Sequence, residues 1–226
     1  MSEPLKFSEA APEAAASRLD PGAIHLWRIP YAPVQGRAPL IALLGTYLGR
    51  PAAEVVLDQV PGGKPRLALG AFAMNDRGLL EFNWSHSGDY ALIALARGNA
   101  LGVDIERFGK ERRALEIARR FFAPTEAEAL ARIEARARDD AFIGLWCAKE
   151  AILKADGAGI SFGLERLVFA RAGDVDWRLA RIDAALGAAD DWTLKSFDAA
   201  PGYHGTLAWR GAPRKVLGFA PPAGAG

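Results

Sequence analysis

Gly102-Val103-Asp104-Ile105-Glu106 and, further along, Trp146-Cys147-Ala148-Lys149-Glu150-Ala151-Ile152-Leu153-Lys154 are the stretches on which the reading of this chain turns. In the first, apolar and acidic residues alternate, which predicts a β-strand carrying the carboxylates of Asp104 and Glu106 on one face. In the second, Phe142, Leu145, Trp146, Ile152 and Leu153 recur at three-to-four spacing, which predicts an amphipathic helix. Glu150 lies on that helix between Trp146 and Lys154, at the edge of the apolar stripe, while Lys149 falls inside the stripe. A charge held there requires an anionic partner.

Three carboxylates on two rigid elements, with two lysines beside them, suit a hydrated Mg²⁺ that holds a phosphate-bearing substrate. Mg²⁺ takes oxygen ligands and is usually bound by a few carboxylates together with substrate phosphates and water. Lysines then balance the remaining phosphate charge. A plainer account stands beside this one: acidic residues at strand ends are often solvated, and Glu150 with Lys154 is an ordinary i,i+4 pair contributing roughly 0.2–0.5 kcal/mol. Residue by residue, the plainer account is the stronger; the combination favours the metal site.

Taken in order, these residues resemble the 4'-phosphopantetheinyl transferase family, of the larger single-chain, surfactin-synthetase-activating type. Its signature is Gly-(Ile/Val)-Asp-(Ile/Val)-Glu followed by Trp-x-x-Lys-Glu-x-x-x-Lys. Phe121-Phe122-Ala123-Pro124-Thr125-Glu126, Gly157-Ala158-Gly159 and, upstream, Asn83-Trp84-Ser85-His86-Ser87-Gly88 stand in the family's order as well. The match is strong over residues 62–161; the flanks agree in length and strand pattern.

The resemblance implies an α+β fold of two similar α/β subdomains related by a pseudo-twofold, with coenzyme A in the cleft between them. It implies transfer of the 4'-phosphopantetheine arm of coenzyme A to a serine of an acyl or peptidyl carrier protein, in fatty acid, polyketide or nonribosomal peptide assembly. Adenosine 3',5'-bisphosphate is released. Asp104, Glu106 and Glu150 are the implied Mg²⁺ ligands. Lys149 and Lys154 balance the pyrophosphate. Lys64 and Pro65 of Gly-Lys-Pro, together with Ser85 and His86, bind coenzyme A, and Asp104 joins them through the metal. Glu126, or Glu150 through a water, takes the serine proton. The sequence departs from the family between Ile29 and Pro39, where a longer basic helix is replaced by a short loop with Arg37 as its one cation. Part of the expected coenzyme A clamp is therefore missing.

Other features bound the reading. The chain has 226 residues, enough for one large domain or two small ones. A net charge of +1 gives no global electrostatic case for nucleic acid. Cys147 is the single cysteine, so no internal disulfide can form, and a reducing, cytoplasmic setting fits. Neither a secretory signal nor a bilayer-length apolar run is evident, and internal pseudo-symmetry points to a monomer.

Four regions are expected: a loosely ordered lead-in over 1–21, an N-terminal subdomain over 22–100, a C-terminal subdomain with the metal site over 101–220, and a frayed tail over 221–226. Strands are expected at 24–29, 55–60, 80–84, 90–96, 101–106, 167–170, 177–182, 192–198 and 203–209. Helices are expected at 39–48, closed by Gly49, at 114–122, after Pro124, and before Gly157 with Asp139 or Asp140 as its cap. Residues 61–65 read as a turn and 85–88 as a connection between strands; His25 reads as a surface or satisfied strand residue. Adjacent Ser85 and His86 make no catalytic pair, and neither Ser85 nor Ser87 sits in a Gly-x-Ser-x-Gly elbow. Two rival functions remain open: a Mg²⁺-dependent phosphohydrolase or pyrophosphatase, and a catalytically weak carrier-binding relative.

Overall fold

The computed structural model describes residues 5–58, 63–68, 74–75, 78–109, 113–172 and 176–222. Its strands are β1 (Phe7–Glu9), β2 (Ala23–Pro30), β3 (Leu57–Asp58), β4 (Arg66–Leu67), β5 (Met74–Asn75), β6 (Gly78–Ser87), β7 (Tyr90–Arg97), β8 (Leu101–Arg107), β9 (Leu167–Ala172), β10 (Asp176–Ile182), β11 (Trp192–Ala200), β12 (Tyr203–Arg210) and β13 (Lys215–Ala220). The α-helices are α1 (Pro12–Ala16), α2 (Ala38–Leu48), α3 (Ala114–Phe121), α4 (Pro124–Ala131) and α5 (Ala135–Asp156). The architecture is α+β. Six strands form one sheet in the order β1-β13-β2-β7-β6-β5, three form a second in the order β11-β12-β8, and β9 pairs with β10.

The two larger sheets lie face to face, each with a helix on its outer side. Strict alternation along β7 shows why: Leu92, Ala94 and Ala96 point to Val103, Ile105 and Leu207 of the second sheet, whereas Ile93 and Leu95 point to Leu40 and Leu44 of α2. Both faces of β7 are thus covered, and its run of apolar residues follows from that. On the far side of the second sheet, α5 packs Leu145, Ile152 and Leu153 into a core shared with α4 and β9. The close fit of α5 on β8 depends on Gly102, where a Cβ would run into the carbonyl oxygen of Ala151 and the amide nitrogen of Ala155. Helix α5 ends as expected at Gly157, whose φ of 92° is a left-handed conformation suited to glycine.

Several local expectations are corrected. Phe7–Glu9 is a strand paired in parallel with β13, and Ala15 and Leu19 are buried, so residues 7–19 are docked rather than loose. Strand β13, from the end of the chain, lies between β1 and β2 and completes the first sheet, so the sheet draws on both sides of the expected boundary at residue 101. Strand β6 continues through Ser87, and the turn to β7 is confined to Gly88 and Asp89. Helix α5 begins at Ala135, which puts Asp139 and Asp140 inside it rather than at its cap. His25 is wholly buried: Tyr47 Oη accepts from Trp27 Nε1 and shares a hydrogen bond with His25 Nδ1, both at 2.8 Å. Burial lowers the His25 pKa to about 4. Of the expected strand at 55–60, Leu57–Asp58 pairs with Arg66–Leu67; residues 59–62, including part of the expected turn, lie outside the described residues, as do 1–4 and 223–226. No described helix is long and apolar enough to cross a membrane.

Candidate active site at the β8–α5 junction

Strand β8 sends Leu101, Val103 and Ile105 into the inter-sheet core and turns Asp104 and Glu106 the other way, toward α5. One turn apart on α5, Glu150 and Lys154 meet them. Lys154 Nζ lies 2.6 Å from Asp104 Oδ1 and 2.9 Å from Ser85 Oγ. The Ser85 hydroxyl in turn donates to the same Asp104 Oδ1 at 2.8 Å. Burial alone would push the Lys154 ammonium down; Asp104, aided by Glu150, outweighs it and holds the group above the usual lysine range.

Negative charge remains in excess here. Glu150 is raised to about 7 by burial and by the neighbouring Asp104 and Glu106, against the opposing pull of Lys154. Two buried carboxylate oxygens, Asp104 Oδ2 and Glu150 Oε1, have no hydrogen-bond partner among the described residues. Such orphaned acceptors are costly unless something cationic answers them. Among the described residues no three acidic, imidazole or thiol side chains are drawn together into a ready metal cage. Asp104, Glu106 and Glu150 share one electrostatic neighbourhood instead, and the all-oxygen donor set with unpartnered oxygens fits a hard divalent cation such as Mg²⁺.

Lys149 and Glu126 stand elsewhere. Both side chains are fully buried, with Lys149 Nζ 2.8 Å from Glu126 Oε2. Lys149 also donates to the carbonyl oxygens of Leu164 and Leu167, and Glu126 accepts from the backbone N–H groups of Ala123 (2.9 Å) and Phe169 (2.7 Å). Burial lowers the Lys149 pKa, partly offset by Glu126. The pair ties α4, α5 and β9 together inside the core. As placed, both have spent their polar atoms on the protein, whereas the resemblance expects Lys149 at the pyrophosphate and Glu126 as acceptor of a substrate proton.

The upstream motif is split across a strand. Because neighbours on β6 point to opposite faces, Ser85 meets Asp104 while His86 is exposed on the other side, stacked on Tyr31 with ring centroids 4.7 Å apart. Ser85 and His86 therefore leave β6 on opposite faces. Lys64 donates to the carbonyl oxygen of Leu101 at 2.8 Å, which anchors its segment, with half-buried Pro65, against the start of β8. Burial lowers its pKa to about 8, partly offset by Glu81. Cys147 is buried and its thiol is pushed up by that burial and by Asp104, so it is an inert neighbour.

Two contributors escaped the sequence reading. Asn83 Oδ1 accepts from the Val103 N–H at 2.9 Å, and Ser87 Oγ donates to Glu106 Oε2 at 3.0 Å while accepting from the Arg107 N–H at 3.2 Å. The signal was available: polar residues at every second position, 83, 85 and 87, within a strand-forming stretch. A cavity of about 880 Å³ lined by Trp177, Leu194 and His204 opens elsewhere and includes none of Asp104, Glu150 or Lys154 in its walls.

Comparison with known proteins finds similarity over the stretch that contains this junction. A sequence model described as the 4'-phosphopantetheinyl transferase superfamily matches residues 100–208, which span β8, α5 and nearly all of β12. The chain is 42% identical over 132 residues to the putative 4'-phosphopantetheinyl transferase slr0495 of Synechocystis, an alignment covering 58% of this chain and 52% of that protein. It is 39% identical over 126 residues to the 4'-phosphopantetheinyl transferase HetI of Nostoc, covering 56% and 52%, and 33% identical over 114 residues to psf-1 of Bacillus pumilus, covering 50% and 45%. The chain thus spans about half the length of the curated relatives it matches. Through the stretch that builds the β8–α5 junction, residues 100–208, the chain is similar to the 4'-phosphopantetheinyl transferase superfamily.

Proposed function

We propose that this protein transfers the 4'-phosphopantetheine group of coenzyme A to a serine of an apo acyl or peptidyl carrier protein, releasing adenosine 3',5'-bisphosphate. The observation that carries the proposal is the pair of buried, unpartnered oxygens of Asp104 and Glu150 beside the Lys154 ammonium, within the stretch that matches the superfamily. Relatives named 4'-phosphopantetheinyl transferase support it. Asp104, Glu106 and Glu150 would hold a Mg²⁺ ion, which when bound would neutralise charge on the phosphates. Lys154, on the same helix as Glu150, would place a compact positive charge against the pyrophosphate. With Glu126 committed to the core, Glu150 is the carboxylate proposed to accept the serine proton through a water. The carrier serine attacks the β-phosphorus, so the P–O bond to the adenosine side breaks as the new P–O bond forms and the bisphosphate leaves. The two-halved, pseudo-twofold architecture belongs to the same reading, and each sheet with its outer helix supports it.

Intact-mass analysis of a panel of apo carrier proteins, incubated with the protein, Mg²⁺ and coenzyme A, tests the proposal. Addition of one phosphopantetheine mass to a carrier is the expected result. Consumption of coenzyme A with every carrier unmodified would point to a phosphohydrolase and overturn it.

A further inference from the structure

Strand β6 braces β8 through side chains at three alternate positions. Asn83 takes the Val103 N–H, Ser85 donates to Asp104 Oδ1, and Ser87 donates to Glu106 Oε2 while taking the Arg107 N–H. The bracing falls on the edge of the second sheet, because β8 pairs with β12 on one side only. Both serines are buried and both hydroxyl protons go to carboxylates. Ser85 is doubly engaged, since its oxygen also accepts from Lys154. Oδ1 of Asp104 is thus held from two directions while Oδ2 is left buried without a partner, as is Glu150 Oε1.

We infer that Ser85 and Ser87 are positioning residues for the cation site: they fix the rotations of the Asp104 and Glu106 carboxylates so that Asp104 Oδ2 stays available, with Glu150 Oε1, to a divalent ion. The inference rests on the metal reading under Proposed function, and it gives Ser85 a different duty from the phosphate contact that the family resemblance implies. A hydroxyl that already donates to Asp104 and accepts from Lys154 has no proton left for a phosphate oxygen. Partners that orient metal ligands commonly contribute 10–100-fold in metal affinity, because an unheld carboxylate must be ordered by the ion itself.

The test titrates Mn²⁺, a hard ion that shares the oxygen preference of Mg²⁺ and binds nitrogen and oxygen sites no more weakly, into the full chain without coenzyme A or carrier. Free Mn²⁺ is read by its paramagnetic resonance amplitude. Ser85→Ala and Ser87→Ala should each weaken Mn²⁺ binding by about 10–100-fold. Ser85→Thr, which keeps the hydroxyl, should largely restore it, so a general packing defect is separated from loss of the hydrogen bond. At saturating metal, the KM for coenzyme A should be unchanged in Ser85→Ala. Unchanged Mn²⁺ affinity with a raised KM for coenzyme A would overturn the inference and return Ser85 to the phosphate. Absence of Mn²⁺ binding by the unsubstituted protein would instead overturn the metal reading, and the positioning role with it.

Discussion

Lys149 Nζ and Glu126 Oε2 lie 2.8 Å apart with neither side chain exposed to solvent, which makes this lysine–glutamate contact an ion pair of the core one residue away from the candidate metal ligand Glu150. Removing one member of a buried pair strands the other's charge, at a cost of about 3–5 kcal/mol. Lys149→Met should therefore lower the urea midpoint sharply, and the double variant Glu126→Gln/Lys149→Met should recover much of the loss. In the double variant, the KM for coenzyme A should stay near that of the unsubstituted protein. A large rise in KM in the folded double variant would mean that Lys149 reaches substrate after all.

The candidate metal carboxylates should behave differently. Asp104→Ala, Glu106→Ala and Glu150→Ala should each lower carrier modification by roughly 100-fold or more, the scale of losing one preorganised electrostatic group, with circular dichroism close to that of the unsubstituted protein. Lys154→Ala should reduce turnover at saturating coenzyme A. Near-normal rates in all three carboxylate variants would remove the metal assignment.

Helix and strand meet closely at one point. Gly102→Ala would place a methyl group against the backbone of Ala151 and Ala155, so it should destabilise the fold by about 1–3 kcal/mol and separate Asp104 from Lys154. Gly22→Ala, where an added Cβ meets nothing within 4 Å, is the matched control and should be close to neutral in urea denaturation.

Two buried groups give opposite pH dependences. The Glu150 carboxyl is raised from 4.5 to about 7, so between those values the folded protein binds more protons than the unfolded chain and stability falls as pH rises. His25 is lowered from 6.5 to about 4, so across that interval the unfolded chain binds more protons and stability falls as pH drops. In metal-free protein the two effects partly cancel. Glu150→Gln should raise Tm at pH 7 and steepen the loss in acid, whereas His25→Gln should flatten that loss. Thermal melts from about pH 4 to 8 provide the check; parallel curves for all three proteins would contradict both assignments.

The short loop between Ile29 and Pro39 predicts a weakened grip on the adenosine-side phosphate. A charge-assisted contact to phosphate typically contributes on the order of 1.5–3 kcal/mol. Dephospho-coenzyme A should accordingly show a KM close to that of coenzyme A, and Lys64→Ala should erase whatever difference remains. A strong preference for coenzyme A that survives Lys64→Ala would place the clamp on other cations.

The β8 and α5 elements were legible because each carries its own period: alternation at two for Val103 to Glu106, three-to-four spacing for Leu145 to Leu153. The positive-φ stop at Gly157 was equally local. What escaped was set by distant partners. The need of Lys149 for an anion could be read from its stripe, but its answer, Glu126, lies on another helix, and nothing in the sequence separates a first-turn glutamate that faces solvent from one that turns inward. Phe7–Glu9 is too short to show a period and is a strand because β13 lies beside it. The duties of Ser85 and Ser87 depend on β6 continuing past Trp84, where a serine and glycine-rich run looks like a turn.

The position of β13 bears on how the molecule is assembled during synthesis. Residues 215–220 lie between β1 and β2 and run parallel to both, so β1 cannot join the sheet until residues 215–220 have left the ribosome. Until then β2 presents an open edge, the kind of surface that invites pairing with a neighbouring nascent chain. Closure of the first sheet therefore waits for β13 although β1 and β2 precede it in sequence, and removing residues 215–220 should unsettle β1 and β2.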